Sequence, residues 1–532
     1  MSERRYAGTG ASPGLASGPA LRLDYPQASE SDAIGTPLEE KARLDRAMTA
    51  AAAALRELSA SQSDLAGDIL EFQLEMLDDP ALIEDVLGAI ADGTSAAEAW
   101  SDALGAQIEG FRAADDGYFQ ARAHDLDDLC QRVLDQLHGR TQAAAAAAAG
   151  AIVLARDLTP SRFLEIERHA PSGIALEEGS TVSHVAMLAR ARGVPMIVGC
   201  GPLGRASSAL MDGTTGQLTT DPTSDTRQSF ELALAAQHRD DDRARGLLAK
   251  PAHTKVGERV WTLLNVDTPD ALDEAMLAAS DGIGLWRTEF LFLERADLPS
   301  EEEQYATYTA LLERAAGKPV IVRTLDIGGD KPLPALSLPR ESNPFLGLRG
   351  LRLSLDKPEL FRPQLNALLR AAARFDSVKI MLPMVTRPAE IAETRALIDS
   401  CLSELAEEGT PARLPPVGMM VETPASALGL ARFPVDFVSI GSNDLTQYVM
   451  AASRDARGRV GALADPLDPA VLNLIAQVAQ QARRQHIDVS VCGDMAADPS
   501  GARALLDRGL RHLSVGQAAL ARLKLTVADY GA

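Results

Sequence analysis

GIGLWRTE, residues 282–289, runs small and apolar through Trp286 and then ends on Arg287, Thr288 and Glu289. A short apolar run bounded by polar residues is strand-like, and a strand buried on both faces loses the alternation of a half-exposed one. Seven further runs have the same character: VWTLLNV (260–266), PVIVRTLD (319–326), VKIMLPMV (378–385), VGMMVET (417–423), FVSIGSND (437–444), VSVCGD (489–494) and HLSVG (512–516). Each run but the last is followed by a helical stretch or a long loop. Eight runs over about 275 residues match the size and alternation of a (β/α)8 barrel. An open doubly wound sheet is the alternative, because periodicity does not reveal closure.

In such a barrel the chemistry gathers where strands end. Those ends carry Arg287, then Arg323 and Asp326 with Lys331 in the following GGDK turn, Glu422, Asn443 with Asp444, and Cys492. Arg349, in NPFLGLRGLR, and Arg454, in AASRDARG, fall in loops on the same side. Guanidinium forks match phosphate and carboxylate oxygens, and carboxylates beside phosphate commonly hold Mg2+, so the expected substrate is a small phosphorylated acid. Any one arginine reads equally well as a solvated charge or an ion pair; the joint placement carries the inference. Cys492 alone reads as a small buried hydrophobe. Among bound anions its thiol stays protonated, which suits a proton donor better than a nucleophile.

The N-terminal half is organised differently. Residues 1–23 read as a turn followed by a strand, and Thr36, Pro37 and Glu39 open a helix with a capping box. Amphipathic segments then continue to DLDDLCQRVLDQLHG (125–139), a helical bundle inserted after the first strand. AIVLA (151–155), GIALEE (173–178) and VPMIVG (194–199) form a small α/β unit. The expected division is 1–23 with 146–224 for the α/β module, 24–145 for the helical insertion, 225–250 for a polar linker helix and hinge, and 251–532 for the barrel.

The α/β module contains GSTVSHVAMLAR (179–190). With Thr181 or Ser183 as cap of a helix running to Gly193, His184 sits at a positive helix end, where a phosphate is stabilised and a neutral imidazole keeps a lone pair for attack. Taken without context, a histidine at a helix start is ordinary.

Composition limits the partners. The chain has 52 Lys and Arg against 74 Asp and Glu, a formal charge of −22, which argues against nucleic acid and anionic membranes and suits a basic protein partner. The start, MSERRYAGTGASPG, lacks a signal-peptide core, and the apolar run 143–155 is too short to span a bilayer, so a cytoplasmic location is expected. Cys130, Cys200, Cys401 and Cys492 have no CxxC spacing, so reduced thiols are expected rather than disulfides or a zinc cluster.

Along nearly the whole chain these segments resemble enzyme I of the bacterial phosphotransferase system, the phosphoenolpyruvate–protein phosphotransferases. ASPGLASGPA is similar to the family's opening and GSTVSHVAMLAR to its phosphohistidine segment. DGIGLWRTEFLF, VRTLDIGGDKP, NPFLGLR, VGMMVETPAS and DFVSIGSNDLTQYVMAASR are similar to its barrel motifs, and VCGDMA to its cysteine segment. The resemblance implies a swivelling phosphohistidine domain, an inserted subdomain that docks the phosphocarrier HPr, and a barrel that dimerises. It implies that His184 is phosphorylated, that Arg287, Arg323, Lys331, Arg349, Asn443 and Arg454 hold phosphoenolpyruvate, that Glu422 and Asp444 bind Mg2+, and that Cys492 delivers the proton that completes pyruvate. Two positions depart from the usual pattern: Val182 stands where Thr is common, and Asp494 where Glu is common. The other readings are a pyruvate phosphate dikinase-like enzyme, for which the chain has no room for an ATP module, a regulatory phosphoprotein or scaffold of the same fold, and an aldolase-like barrel.

Overall fold

A computed structural model of the chain describes residues 2–23, 34–59, 65–112, 117–139, 148–181, 183–270, 272–292, 295, 297–328, 341–453 and 458–531. It divides into two units, 1–238 and 239–532.

In the first unit, residues 4–23 give three strands where one was expected: β1 (Arg4–Ala7), β2 (Thr9–Ser12) and β3 (Leu15–Leu23). β1 pairs with β8 (Gln217–Thr220) and β2 with β6 (Met196–Val198), both antiparallel. Their few residues show no apolar alternation; distant partners make them strands. With β4 (Ile152–Ala155), β5 (Gly173–Leu176) and β7 (Ser208–Asp212), the sheet order is β1-β8-β7-β3-β4-β5-β6-β2. Successive side chains go to opposite faces: Ile152 and Leu154 pack with Met211 and Leu218, while Val153 and Ala155 pack with the helices.

Among the described residues, five helices lie between β3 and β4: α1 (Pro37–Ser59), α2 (Leu65–Leu77), α3 (Pro80–Ala91), α4 (Ala96–Arg112) and α5 (Gly117–Leu137). The insertion therefore follows the third strand. α1 starts with the expected reciprocal cap, Thr36 N–H donating to Glu39 at 2.8 Å and Glu39 N–H to Thr36 Oγ1 at 3.4 Å. Two further helices, α6 (Pro160–Glu167) and α7 (His184–Arg192), belong to the α/β layer. A buried polar network ties the insertion to that layer: Asp128 of α5 accepts from Ser161 N (2.8 Å), Ser161 Oγ (2.7 Å) and Gln73 Nε2 (3.0 Å), and Arg132 donates to Glu165 at 2.6 Å.

α8 (Ser224–Leu247) runs across the division between the units. Near its start, Thr223 N and Thr226 Oγ1 donate to Glu3 at 2.9 and 2.7 Å. Toward its end, Arg243 pairs with Asp529 at 2.7 Å and Asp241 with Arg522 at 3.2 Å.

In the second unit all eight expected runs are strands: β10 (Arg259–Val266), β11 (Ile283–Arg287), β12 (Val320–Arg323), β13 (Val378–Leu382), β14 (Val417–Val421), β15 (Phe437–Ile440), β16 (Asp488–Val491) and β17 (His512–Gly516). A short β9 (Ala252–His253) adds antiparallel to β10. β10 pairs in parallel with both β11 and β17, so the sheet closes and the open alternative is excluded. The last strand does have a helix after it, Leu520–Ala528. Where the ring closes, Lys255 N–H donates to Tyr530 O at 2.9 Å. Residues such as Val320, Val322, Ile380 and Leu382 face the helices, whereas Leu285, Ile321, Met381, Met420, Phe437 and Cys492 form a separate apolar fill.

Candidate active site

At the strand ends of the barrel, Arg323 and Arg349 are both buried, at 6% exposure each, and each is clasped by carboxylates. Arg323 donates from Nη2 to Glu289 Oε1 at 2.8 Å and lies 3.1 Å from Asp326 Oδ2. Arg349 reaches both oxygens of Asp326 (3.0 and 3.1 Å) and both of Asp444 (3.1 and 2.9 Å). Burial opposes the charge on each guanidinium, but their acidic neighbours outweigh it and raise both above the usual arginine range. Gly350 has a φ of +60°, and a Cβ there would come within 3.0 Å of Asp326 Oδ1. Glycine permits that approach.

Glu422 is buried and accepts from Met384 N at 2.6 Å. Met384 itself is held at a φ of +57°, an unusual backbone for a buried methionine. Burial, then the neighbouring Asp444 and Asp326, push Glu422 up to about 8 against the opposing pull of Arg323 and Arg349. A cation would relieve that crowding. Glu422 and Asp444 offer oxygen donors only, and Mg2+ is commonly held by one or two carboxylates with substrate oxygens and water completing the set, so these residues fit the ion.

Cys492 lies beneath this mouth, packed with Leu285, Ile321, Met381 and Met420. Burial pushes its thiol up to about 11, with Arg323, Arg287 and Glu422 near enough to influence its charge. The thiol is protonated at neutral pH. Arg287 is half-buried and pairs with Asp267 at 2.8 Å. Asn443 exchanges two hydrogen bonds with Asp494, 2.9 Å from Nδ2 to Oδ2 and 3.0 Å from Asp494 N to Oδ1. Lys331 and Arg454 lie outside the described residues, as do Val182 and residues 143–147 of the apolar run.

In the first unit, His184 is the first residue of α7, and Ser183 is its cap, accepting from Ala186 N at 3.2 Å. Gly193, at φ 67°, ends the helix in the left-handed region. The imidazole has a partner that local sequence does not reveal: its Nδ1 lies 3.1 Å from Asp125 Oδ1 on α5. A carboxylate accepts, so Nδ1 is the donor, and in the neutral form of the ring the lone pair lies on Nε2. Asp125 is buried, and Arg122 donates to its other oxygen at 3.3 Å. Asp125 opens the acidic DLDDLC segment, which carries no spacing that would link it to a histidine 59 residues away. Glu289 was visible as a strand-end residue, but not as the carboxylate beneath Arg323.

Family models match most of the chain: PEP-utilising enzyme, PEP-binding domain, over residues 241–531; PEP-utilising enzyme, N-terminal, over 7–122; and PEP-utilising enzyme, mobile domain, over 147–216. The phosphoenolpyruvate-protein phosphotransferase of Geobacillus stearothermophilus is 37% identical over 529 residues, 97% of this chain and 91% of that protein. That of Bacillus sp. (strain S) is 36% identical with the same coverage. A multiphosphoryl transfer protein of Xanthomonas campestris pv. campestris is 38% identical over 97% of this chain and 62% of its own length.

Proposed function

The chain belongs to the phosphoenolpyruvate-protein phosphotransferases of the PEP-utilising enzyme family, and from that premise we propose how its residues move the phosphoryl group. His184 attacks phosphorus through Nε2, the pyruvate enolate leaves, and Cys492 protonates the enolate carbon. The phosphohistidine then passes its phosphoryl group to a histidine of an HPr-like carrier, the first general step of sugar phosphotransfer.

The observation that carries this reading is the buried cluster Arg323, Arg349, Asp326, Glu422 and Asp444 at one mouth with a protonated thiol beside it. The arginines take the phosphate and carboxylate of phosphoenolpyruvate, with Arg287, Asn443, Lys331 and Arg454 completing the binding set. Glu422 and Asp444 are the residues that would hold Mg2+, which would supply neutralisation of charge on the phosphate. Asp125 keeps the proton on Nδ1, so that the attacking nitrogen is Nε2. The segment 225–250 serves as the hinge that lets one histidine visit donor and acceptor.

Partners follow from surface chemistry. Around EFQLEMLDDPAL, Glu71, Glu75 and Asp78 are exposed beside the partly buried Phe72, Leu74 and Met76, a face suited to a basic carrier. Dimerisation through the barrel and a cytoplasmic location belong to the same reading; among the described residues no helix is long and apolar enough to cross a membrane.

The test is direct. With labelled phosphoenolpyruvate and Mg2+, acid-labile, base-stable label accumulates on His184, and His184→Ala carries none. Label persisting at native extent in that variant sinks the reading.

A further inference from the structure

The helix Pro469–Gln485 leads into β16, and the turn Arg508–Arg511 leads into β17. Both therefore stand at the N-terminal ends of the strands, the face of the barrel opposite the mouth that carries Arg323, Arg349, Glu422 and Asp444. Between them lies an open cavity of about 690 Å³, a size that suits a small metabolite. Arg483, Arg508 and Arg511 line it, together with Tyr530 and the amides of Gln477 and Gln480. Arg511 is neutralised, because its Nη2 donates to Glu258 at 2.7 Å. Arg508 is held by carbonyls instead, donating from Nε to Leu472 O at 2.9 Å and from Nη1 to Ala504 O at 2.7 Å. Arg483 is exposed and makes one long contact, from Nη2 to Arg508 O at 3.4 Å, while its Nη1 lies where a Cβ on residue 509 would sit. Neither Arg483 nor Arg508 has a carboxylate partner among the described residues, in a chain where 74 Asp and Glu outnumber 52 Lys and Arg. The carboxylate that lines the cavity, Asp507, accepts from the Tyr530 hydroxyl at 2.9 Å. Two uncompensated guanidiniums on one wall make a local positive field in an acidic protein, and such a field draws anions.

We propose that this cavity binds a small phosphate monoester that carries hydroxyl groups, with the phosphate on Arg483 and Arg508 and the hydroxyls on Gln477 and Gln480. Phosphate oxygens match the guanidinium fork. A phosphate monoester carries about −1.5 to −2 at pH 7, which answers two uncompensated positive charges better than one carboxylate does. Gln477 and Gln480 are three residues apart, so they share a face of the helix, and both are exposed. Each amide offers donors and an acceptor, the set that a hydroxyl needs. Nothing in the site depends on His184 or on the mouth of the barrel. A ligand held there joins the helix before β16 to the turn before β17, so it stabilises the folded protein by mass action.

The experiment is titration calorimetry of the full chain with glucose 6-phosphate as probe, with inorganic phosphate and glucose as separate arms, and thermal melts under the same conditions. Glucose 6-phosphate is expected to bind and to raise the melting temperature, phosphate to bind about 10-fold more weakly, and glucose to give no heat. Arg483→Ala is expected to weaken glucose 6-phosphate about 10-fold, the scale of one lost hydrogen bond to a charged group. Gln480→Ala is expected to weaken glucose 6-phosphate about 5-fold and to leave phosphate unchanged, the scale of one neutral hydrogen bond. Both side chains are exposed, and a cooperative melt without ligand shows that each variant is folded. Arg508→Ala loses two carbonyl contacts as well, so Arg483→Ala and Gln480→Ala decide the matter if it does not fold. Native affinity in Arg483→Ala would place the bound anion elsewhere, the barrel mouth included, and overturn the proposal. So would an absence of binding to the native chain. Inorganic phosphate binding as tightly as glucose 6-phosphate would leave the amides no role and overturn the ligand class.

Discussion

Glu289 receives two donors on one oxygen, Arg323 Nη2 at 2.8 Å and Asp326 N at 3.0 Å, and it is completely buried. It therefore orients Arg323 directly and Arg349 through Asp326. Glu289→Gln keeps the shape and removes the charge, leaving a buried guanidinium with one carboxylate fewer; breaking such a pair costs about 3–5 kcal/mol. Urea unfolding is expected to show a loss of that order, together with a KM for phosphoenolpyruvate raised about 10-fold. Native stability in the variant would exclude this role. Glu422 makes a separate prediction. Its folded pKa of about 8 lies above the ordinary 4.5, so the unfolded chain releases this proton first as pH rises. Its contribution to stability is full below pH 4.5 and declines between 4.5 and 8. Thermal melts of the metal-free protein should show that decline, Glu422→Gln should flatten it, and Mg2+ should raise the melting temperature most at the alkaline end.

At the scale of elements, α7 is the segment that sequence described best, and the reason is local. Its cap, its first residue and its left-handed terminator are all contiguous in SHVAMLARARG. Ser183→Ala removes the acceptor of the Ala186 N–H, a loss of about 1 kcal/mol. Amide exchange of the first turn of α7 should quicken while the barrel amides stay unchanged; equal protection in the variant would show that the cap contributes nothing. The barrel strands were equally legible, because each is an apolar run that any parallel, doubly covered strand requires. β1 and β2 were not, since RRYA and TGAS become strands through partners nearly 200 residues or more away. Asp125 was hidden for the same reason. The contact of His184 with α5 depends on how the insertion packs on the α/β layer, and the Asp128, Ser161 and Gln73 network behind it has no sequence spacing to announce it.

Across the whole molecule the four cysteines are free and buried, and burial pushes Cys130 up to about 12 and Cys200, Cys401 and Cys492 up to about 11. A disulfide reagent at pH 8 is expected to find almost no reactive thiol in the native chain and all four after unfolding. The sign of the linkage follows: between pH 9 and 11 the unfolded chain gives up thiol protons that the folded one keeps, so stability falls across that window. The closure of the barrel has a different kind of consequence. Lys255 and Tyr530 meet by a single hydrogen bond, so the entry and exit of this unit are already neighbours. Beginning and end are then matters of gene order rather than of architecture. A rearranged chain that joins those neighbours by a short linker and opens instead at the exposed Glu408 and Gly409 is expected to wind into the same ring.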